Sequence, residues 1–138
     1  MSLELVVVFP VVILIVFGVI QGALYYHARD VALAAAQEGL RAARAETGTA
    51  PAGGQAAQQF LTAAGGSSVM TGATIRPTRT ATDASVTVRG QALSVLPGVP
   101  GLPVAQTAAG PIERFTTNSR QFTNSEGLVA GNRSGGSP

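Results

Sequence analysis

The stretch LVVVFPVVILIVFGVIQGALYY, residues 5–26, decides how the chain is organised. Apart from Pro10 and Gly18, every residue from 5 to 20 is Leu, Ile, Val or Phe, and Gln21 is the only strongly polar side chain in the run. At helical rise the segment reaches about 33 Å, the thickness of a bilayer's hydrocarbon core. The aliphatic and phenylalanine residues favour insertion by at most ~4–8 kcal/mol, because positions near the ends count for less than central ones. A buried core helix would need a second apolar surface to cover it on all sides, and the remaining chain has none of that size. A cleaved secretory signal is the closer rival, but its apolar region is shorter and stops at a small-residue cleavage site. Here the pattern continues as helix, so residues 1–30 are predicted to be a transmembrane segment.

The departures from plain hydrophobicity are the candidate functional positions. Glu4 stands directly before the span. An ionisable group at a membrane edge is expensive to bury unless it is neutralised, so Glu4 reads as a carboxylate awaiting a cationic partner; a water-exposed interfacial acid is the plainer alternative. Pro10 lacks a backbone N–H and is expected to kink or loosen the helix inside the bilayer. Gly18 and Gly22 fall four apart on one face, a spacing that lets another helix approach closely. Tyr25 and Tyr26, with Arg29 just beyond, are placed to mark the far membrane interface, and His27 beside them reads as interfacial rather than as a ligand.

Beyond the span, VALAAAQEGLRAARAE, residues 31–46, is rich in alanine and free of proline, which favours continued helix. Leu33, Ala36, Leu40 and Ala43 recur at intervals of three and four and form an apolar stripe, while Gln37, Glu38, Arg41 and Arg44 lie largely off it. Glu38 and Arg41 are spaced to pair on the exposed side. One helix over 5–46 is predicted, greasy in its first half and amphipathic in its second.

Glu4, Pro10, Phe17-Gly18, Tyr25-Tyr26 followed by Ala28-Arg29, and the alanine-rich run from Ala34 through Gln37-Glu38-Gly39-Leu40-Arg41 to Ala43 together resemble the TadE-like family of small pilin-related proteins of tight-adherence (Tad/Flp) pilus systems. The resemblance covers about the first third of the chain. It implies that a prepilin peptidase removes a short basic leader upstream, and that Glu4 corresponds to the family's near-N-terminal glutamate, which registers subunits in a filament extruded from the membrane. The basic residues seen here, Arg29, Arg41 and Arg44, follow the span and taken alone would place the C-terminal part in the cytoplasm; a basic leader reverses that balance. A neighbour's α-amino group would neutralise Glu4 inside a bundle of like helices, making the charge a register device.

The remainder reads as a small head over residues 47–115 and a flexible tail over 116–138. TGTAPAGG, residues 47–54, is a breaker-rich loop. A short helix is predicted over 55–64, with Phe60 and Leu61 inward and Gly65-Gly66 ending it. Residues 73–79 and 84–90 read as two strands around Thr82-Asp83, with Pro77 confining the first to a sheet edge. LPGVPGLP, residues 96–103, is a Pro-Gly loop, and a third strand falls within 104–115, with Ile112 and Phe115 as core candidates. Large apolar residues are sparse after residue 47, close to the level at which chains stay disordered, so the head should depend on docking against residues 31–46. The predicted fold class is α+β: a long pilin-like helix on a small antiparallel sheet.

Composition narrows the function. The chain has no cysteine and a single histidine, which excludes disulfides, thiolate metal sites and histidine clusters. The nine cationic residues, all arginine, are scattered, giving a formal charge of +2 and no nucleic-acid footprint. Neither paired carboxylates nor a phosphate-binding glycine loop is in place, so no catalytic residue, cofactor or metal is assigned and no enzyme is expected. The expectation is a minor pilin or pseudopilin with its head outside the cytoplasmic membrane or in an extracellular filament. Its partners would be the membrane, other pilin subunits and, by the resemblance, the prepilin peptidase and Tad assembly machinery. A monomeric single-pass anchored adaptor is the alternative.

Overall fold

The computed structural model describes residues 3–114. Phe115 and the tail expected over 116–138 lie outside the described residues. Helix α1, Leu3–Arg44, is continuous over 42 residues, about 63 Å at helical rise. It runs on through Pro10, whose missing N–H leaves the Val6 carbonyl without its usual partner. The long helix is therefore present, set slightly nearer the N-terminus than the sequence pattern placed it.

The C-terminal end of α1 is closed by arginines. Arg79 donates to the carbonyls of Ala43 and Ala45, the latter at 3.1 Å, supplying partners that the last turn of a helix otherwise lacks. Arg44 donates to the Pro111 carbonyl at 2.7 Å and pairs with Glu113 at 3.4 Å. On the outer face Arg41 meets Glu38 at 2.8 Å, the pairing that their spacing predicts.

Helix α2, Ala50–Ala63, starts earlier than expected. The Thr49 hydroxyl accepts from the Ala52 N–H at 3.2 Å, and Pro51 occupies the first turn, where its missing donor costs nothing. Gly53 and Gly54, read from sequence as part of a breaker-rich loop, thus belong to the helix. Gly53 has a packing reason, and Gly54 lies against the Pro77 side chain, which an added Cβ would meet at 3.1 Å. A Cβ on Gly53 would lie 2.8 Å from both the Ala43 Cβ and the Gly39 carbonyl oxygen, and one on Gly39 would lie 2.6 Å from the Gly53 carbonyl oxygen. The two helices approach backbone to backbone. Gly65, with φ of 68°, then ends the helical stretch as expected.

A short 3-10 turn, Gly66–Ser68, leads into three strands: β1, Met70–Arg79; β2, Asp83–Ala92; and β3, Pro103–Pro111. They form an antiparallel sheet in the order β1-β2-β3. The first two strands are longer than their alternating patterns indicated. The extension of β1 passes through an irregularity between Thr71 and Thr74, where Gly72 takes φ of 62°, a bulge that interrupts strict alternation. Pro77 does sit on an edge strand, opposite Val86.

The core joins the second half of α1 to α2 and to one face of the sheet. Ala28, Ala32, Ala35, Ala36, Ala43 and Ala57 are fully buried, with Leu61, Met70, Val86, Val88 and Val104 among them. The buried face of α1 is therefore not centred on the predicted Leu33 stripe: Ala36, Leu40 and Ala43 are inside, but Leu33 is only half-buried. Alanine and glycine positions win the inner face because the neighbouring backbones come too close for leucine. Ile112 packs, half-buried, on a smaller cluster of Leu40, Ala43 and Ala84. The thin head is completed by α1, as its composition required.

Substituting Gly39→Ala should destabilise the head despite the better helix propensity of alanine. Overpacking against a backbone carbonyl costs about 1–3 kcal/mol and propensity returns up to about 1 kcal/mol. Denaturant unfolding of the full chain in detergent should show a lower midpoint for Gly39→Ala, whereas Gly18→Ala, whose Cβ would meet nothing within 4 Å, should not lower it.

Candidate membrane and assembly surface

The two halves of α1 have opposite surroundings. Among the large apolar residues at positions 5–20, exposure ranges from 36% to 68%, and the most apolar window of the helix has none of its residues buried within the protein. A core helix of a soluble protein would be covered, so this length of exposed Val, Ile, Leu and Phe fits a single-pass membrane anchor.

Along this surface the sequence-derived positions lie in line rather than converging on a pocket. Glu4 is exposed in the first turn, where the positive end of the helix dipole favours a carboxylate. It makes no salt bridge among the described residues. Pro10 follows inside the helix. At Gly18 and again at Gly22 an added Cβ would meet nothing within 4 Å, so the four-residue step marks a face open to a neighbour and plays no part in holding the head. Glu4 and Gly22 are about 27 Å apart along the axis.

The tyrosine pair divides. The rings of Tyr25 and Tyr26 meet edge to face with centroids 5.7 Å apart, yet Tyr25 packs partly against the head's core while Tyr26 is 61% exposed. Arg29 is exposed one turn further on. Tyr26 and Arg29 are thus free to face an interface, and Tyr25 is shared with the head.

Gln21 has a role that sequence did not reveal. Its amide donates to the Leu93 carbonyl at 3.1 Å and accepts from the Val95 N–H at 3.0 Å, a two-point clamp across 72 and 74 residues of chain. The lone polar residue of the apolar run is thereby matched to backbone groups of the loop that follows β2. Its solitary position was the available signal; its partner was not deducible from spacing. Contact with the head thus begins at Gln21 and Tyr25, ahead of the residue-31 start expected for the amphipathic half.

The head's surface clefts are open. Among the described residues, no group of three His, Asp or Glu side chains is placed to hold a metal ion. The main charged cluster, Arg44, Arg79, Glu113 and Arg114, is engaged with backbone carbonyls and one ion pair around the end of α1 and the β1–β2 turn.

Residues 1–41 match the TadE-like protein family. The match covers less than a third of the chain and ends inside α1, so it comprises the bare apolar half, the glycine face, the tyrosines and Gly39 but none of the sheet. The matched segment is similar to a family associated with Tad pili and agrees with the resemblance read from Glu4, Pro10 and the Glu-Gly-x-Arg run. No curated protein and no solved structure matches the chain. Within the TadE-like segment the Glu-Gly-x-Arg residues have separate structural uses: Gly39 lets α2 approach, while Glu38 and Arg41 pair outside.

Replacing Gln21 with Ala should release residues 93–95 without unfolding the head. Loss of hydrogen bonds worth about 1 kcal/mol corresponds to roughly fivefold faster opening. Hydrogen exchange at the Val95 amide should accelerate by about that factor in Gln21→Ala, with Val86 and Val88 unchanged.

Proposed function

We propose that this protein is a non-enzymatic structural subunit, a minor pilin or pseudopilin, of a Tad-type pilus or secretion system, assembled from the membrane by packing of α1 against helices of other subunits. The observation that carries the reading is the contrast within one continuous helix: its second half is locked into the head, and its first half is apolar and uncovered. Such a helix can leave lipid only if another apolar surface replaces it, and a bundle of like helices supplies that surface. The family match over 1–41 supports placing this in a Tad system.

In this reading Glu4 is the register device. Its charge at the start of α1 resists burial until a neighbour's α-amino group pairs with it, so only a subunit at the right axial offset enters the bundle. Pro10 supplies a loosened turn with a free carbonyl, and Gly18 and Gly22 allow close approach. Tyr26 and Arg29 hold the anchor at the interface before assembly, with the head on the extracytoplasmic side. Processing by a prepilin peptidase and recruitment by the Tad machinery complete the sequence of events.

Expression of Glu4→Ala in the native host, followed by separation of sheared extracellular material from membranes, tests this mechanism. The variant should remain in the membrane fraction at normal abundance and be lost from the sheared fraction. Normal recovery of Glu4→Ala in sheared filaments would sink the pairing role. Absence of the unsubstituted protein from sheared material, with all of it in membranes, would favour an anchored adaptor.

A further inference from the structure

The loop between β2 and β3, residues 93–102, is the one part of the head that combines a fixed conformation with exposed large apolar side chains. Val95, Val99 and Leu102 are 37%, 51% and 47% exposed, and outside α1 they are the large hydrophobics most open to solvent among the described residues. No ionisable side chain occurs between Arg89 and Glu113. The exposure does not come from a slack loop. The Ala92 N–H donates to the Leu102 carbonyl at 2.9 Å, the Leu93 N–H to the Val69 carbonyl at 3.3 Å and the Val99 N–H to the Leu96 carbonyl at 3.2 Å. Gly98 takes the positive φ of 77° that the turn requires, and a Cβ on Gly101 would fall 1.9 Å from the Ala92 carbonyl oxygen. These bonds and the two glycines fix the loop backbone with its apolar side chains exposed.

The position of the loop along α1 gives the exposure its meaning. The Gln21 clamp seats residues 93–95 beside the end of the bare apolar run, roughly 6–8 Å nearer the N-terminus of α1 than Tyr25 and Tyr26. The opposite end of the head, where β2 begins and β3 ends, carries Arg44, Arg79, Asp83, Glu113 and Arg114. The main charged cluster of the head therefore lies at the end far from the span, whereas the loop at the end next to it is itself uncharged and apolar, with exposed Arg89 three residues back along β2 from Ala92.

We propose that the loop over residues 93–102 is a membrane-contacting foot, seated in the boundary between lipid headgroups and acyl chains, with Val95, Val99 and Leu102 as its apolar contacts. This rests on α1 being a membrane anchor and does not depend on filament assembly. Lipid is the occupant favoured because the loop is continuous with the exposed surface of the span and lies level with its end. Apolar burial combined with the absence of charge is what the acyl boundary accepts. The foot adds a second contact to the single helix, so the head stands against the bilayer in one orientation rather than swinging about α1. Gln21 couples the two: its polar amide is satisfied by loop backbone at the depth where water becomes scarce.

The natural absence of tryptophan makes the test direct. Single-tryptophan full-length chains Val99→Trp, Ile15→Trp and Ala81→Trp are reconstituted in phosphatidylcholine–phosphatidylglycerol vesicles with or without lipid brominated along the acyl chain. Ile15→Trp reports the span, and Ala81→Trp reports the charged end of the head. The proposal expects blue-shifted emission from Val99→Trp that brominated lipid quenches severalfold, as for Ile15→Trp, and no quenching of Ala81→Trp. Red-shifted, unquenched emission from Val99→Trp beside a quenched Ile15→Trp overturns the foot while leaving the anchor intact. Blue-shifted but unquenched emission overturns it in favour of a protein surface covering the loop. An unquenched Ile15→Trp removes the membrane anchor and the foot with it.

Discussion

The near contact of two backbones at Gly39 and Gly53 is the constraint on which the head depends. With so few large apolar residues after α1, a core built at ordinary helix separation would be hollow. Glycine and alanine on the facing surfaces bring α2 and the sheet close enough for small side chains to fill the space. Burying alanines stabilises less per residue than burying leucines, so the close fit over the length of residues 28–43 has to supply what side-chain size does not. The arginine caps at the end of α1 and the Gln21 clamp near its middle bracket this contact and fix the head axially on the helix.

That packing leaves α1 with a divided task. Its second half is the central element of the head, and its first half is bare. Because the helix is continuous through Pro10 and past the tyrosines, a displacement of the anchor along the membrane normal carries the head with it. A helix built this way transmits an axial displacement as the motion of one rod. The open face at Gly18 and Gly22 and the carboxylate at Glu4 lie on the half that is free to meet neighbours, while Gly39, which meets Gly53 of α2 and holds the head together, lies on the half that is not. Glycine thus serves two different contacts along one helix.

Much of this was legible in the sequence because the signals were one-dimensional. The length and uniform hydrophobicity of residues 5–26, the alanine run after it and the alternation Ser85-Val86-Thr87-Val88-Arg89 each follow from a single element's own period. The third strand and the edge position of Pro77 followed from loop placement and hydrogen-bond chemistry. The misreadings came where one element's residues are explained by another element. Gly53 looked like a loop residue because the helix that demands it is α1, Gly54 because its close neighbour is Pro77 of β1, and Leu33 looked like core because periodicity does not reveal that alanine is required nearby. Gln21 was visible as an exception, yet its partners at Leu93 and Val95 are set by tertiary folding. Val104, fully within the core, was hidden by a strand whose remaining residues are small and polar.

The central claim is that the bare half of α1 is covered by other protein helices when the subunit is at work. A photo-reactive amino acid placed at Leu14, one turn before Gly18 on the same face, and separately at Val16 on the opposite face, reads this directly in the native host. Both side chains are exposed in the isolated subunit. Irradiation should yield protein adducts of discrete mass from both positions in sheared extracellular material, with lipid adducts confined to the membrane fraction. Lipid adducts alone from both positions would contradict assembly through this helix and leave α1 as a solitary membrane anchor.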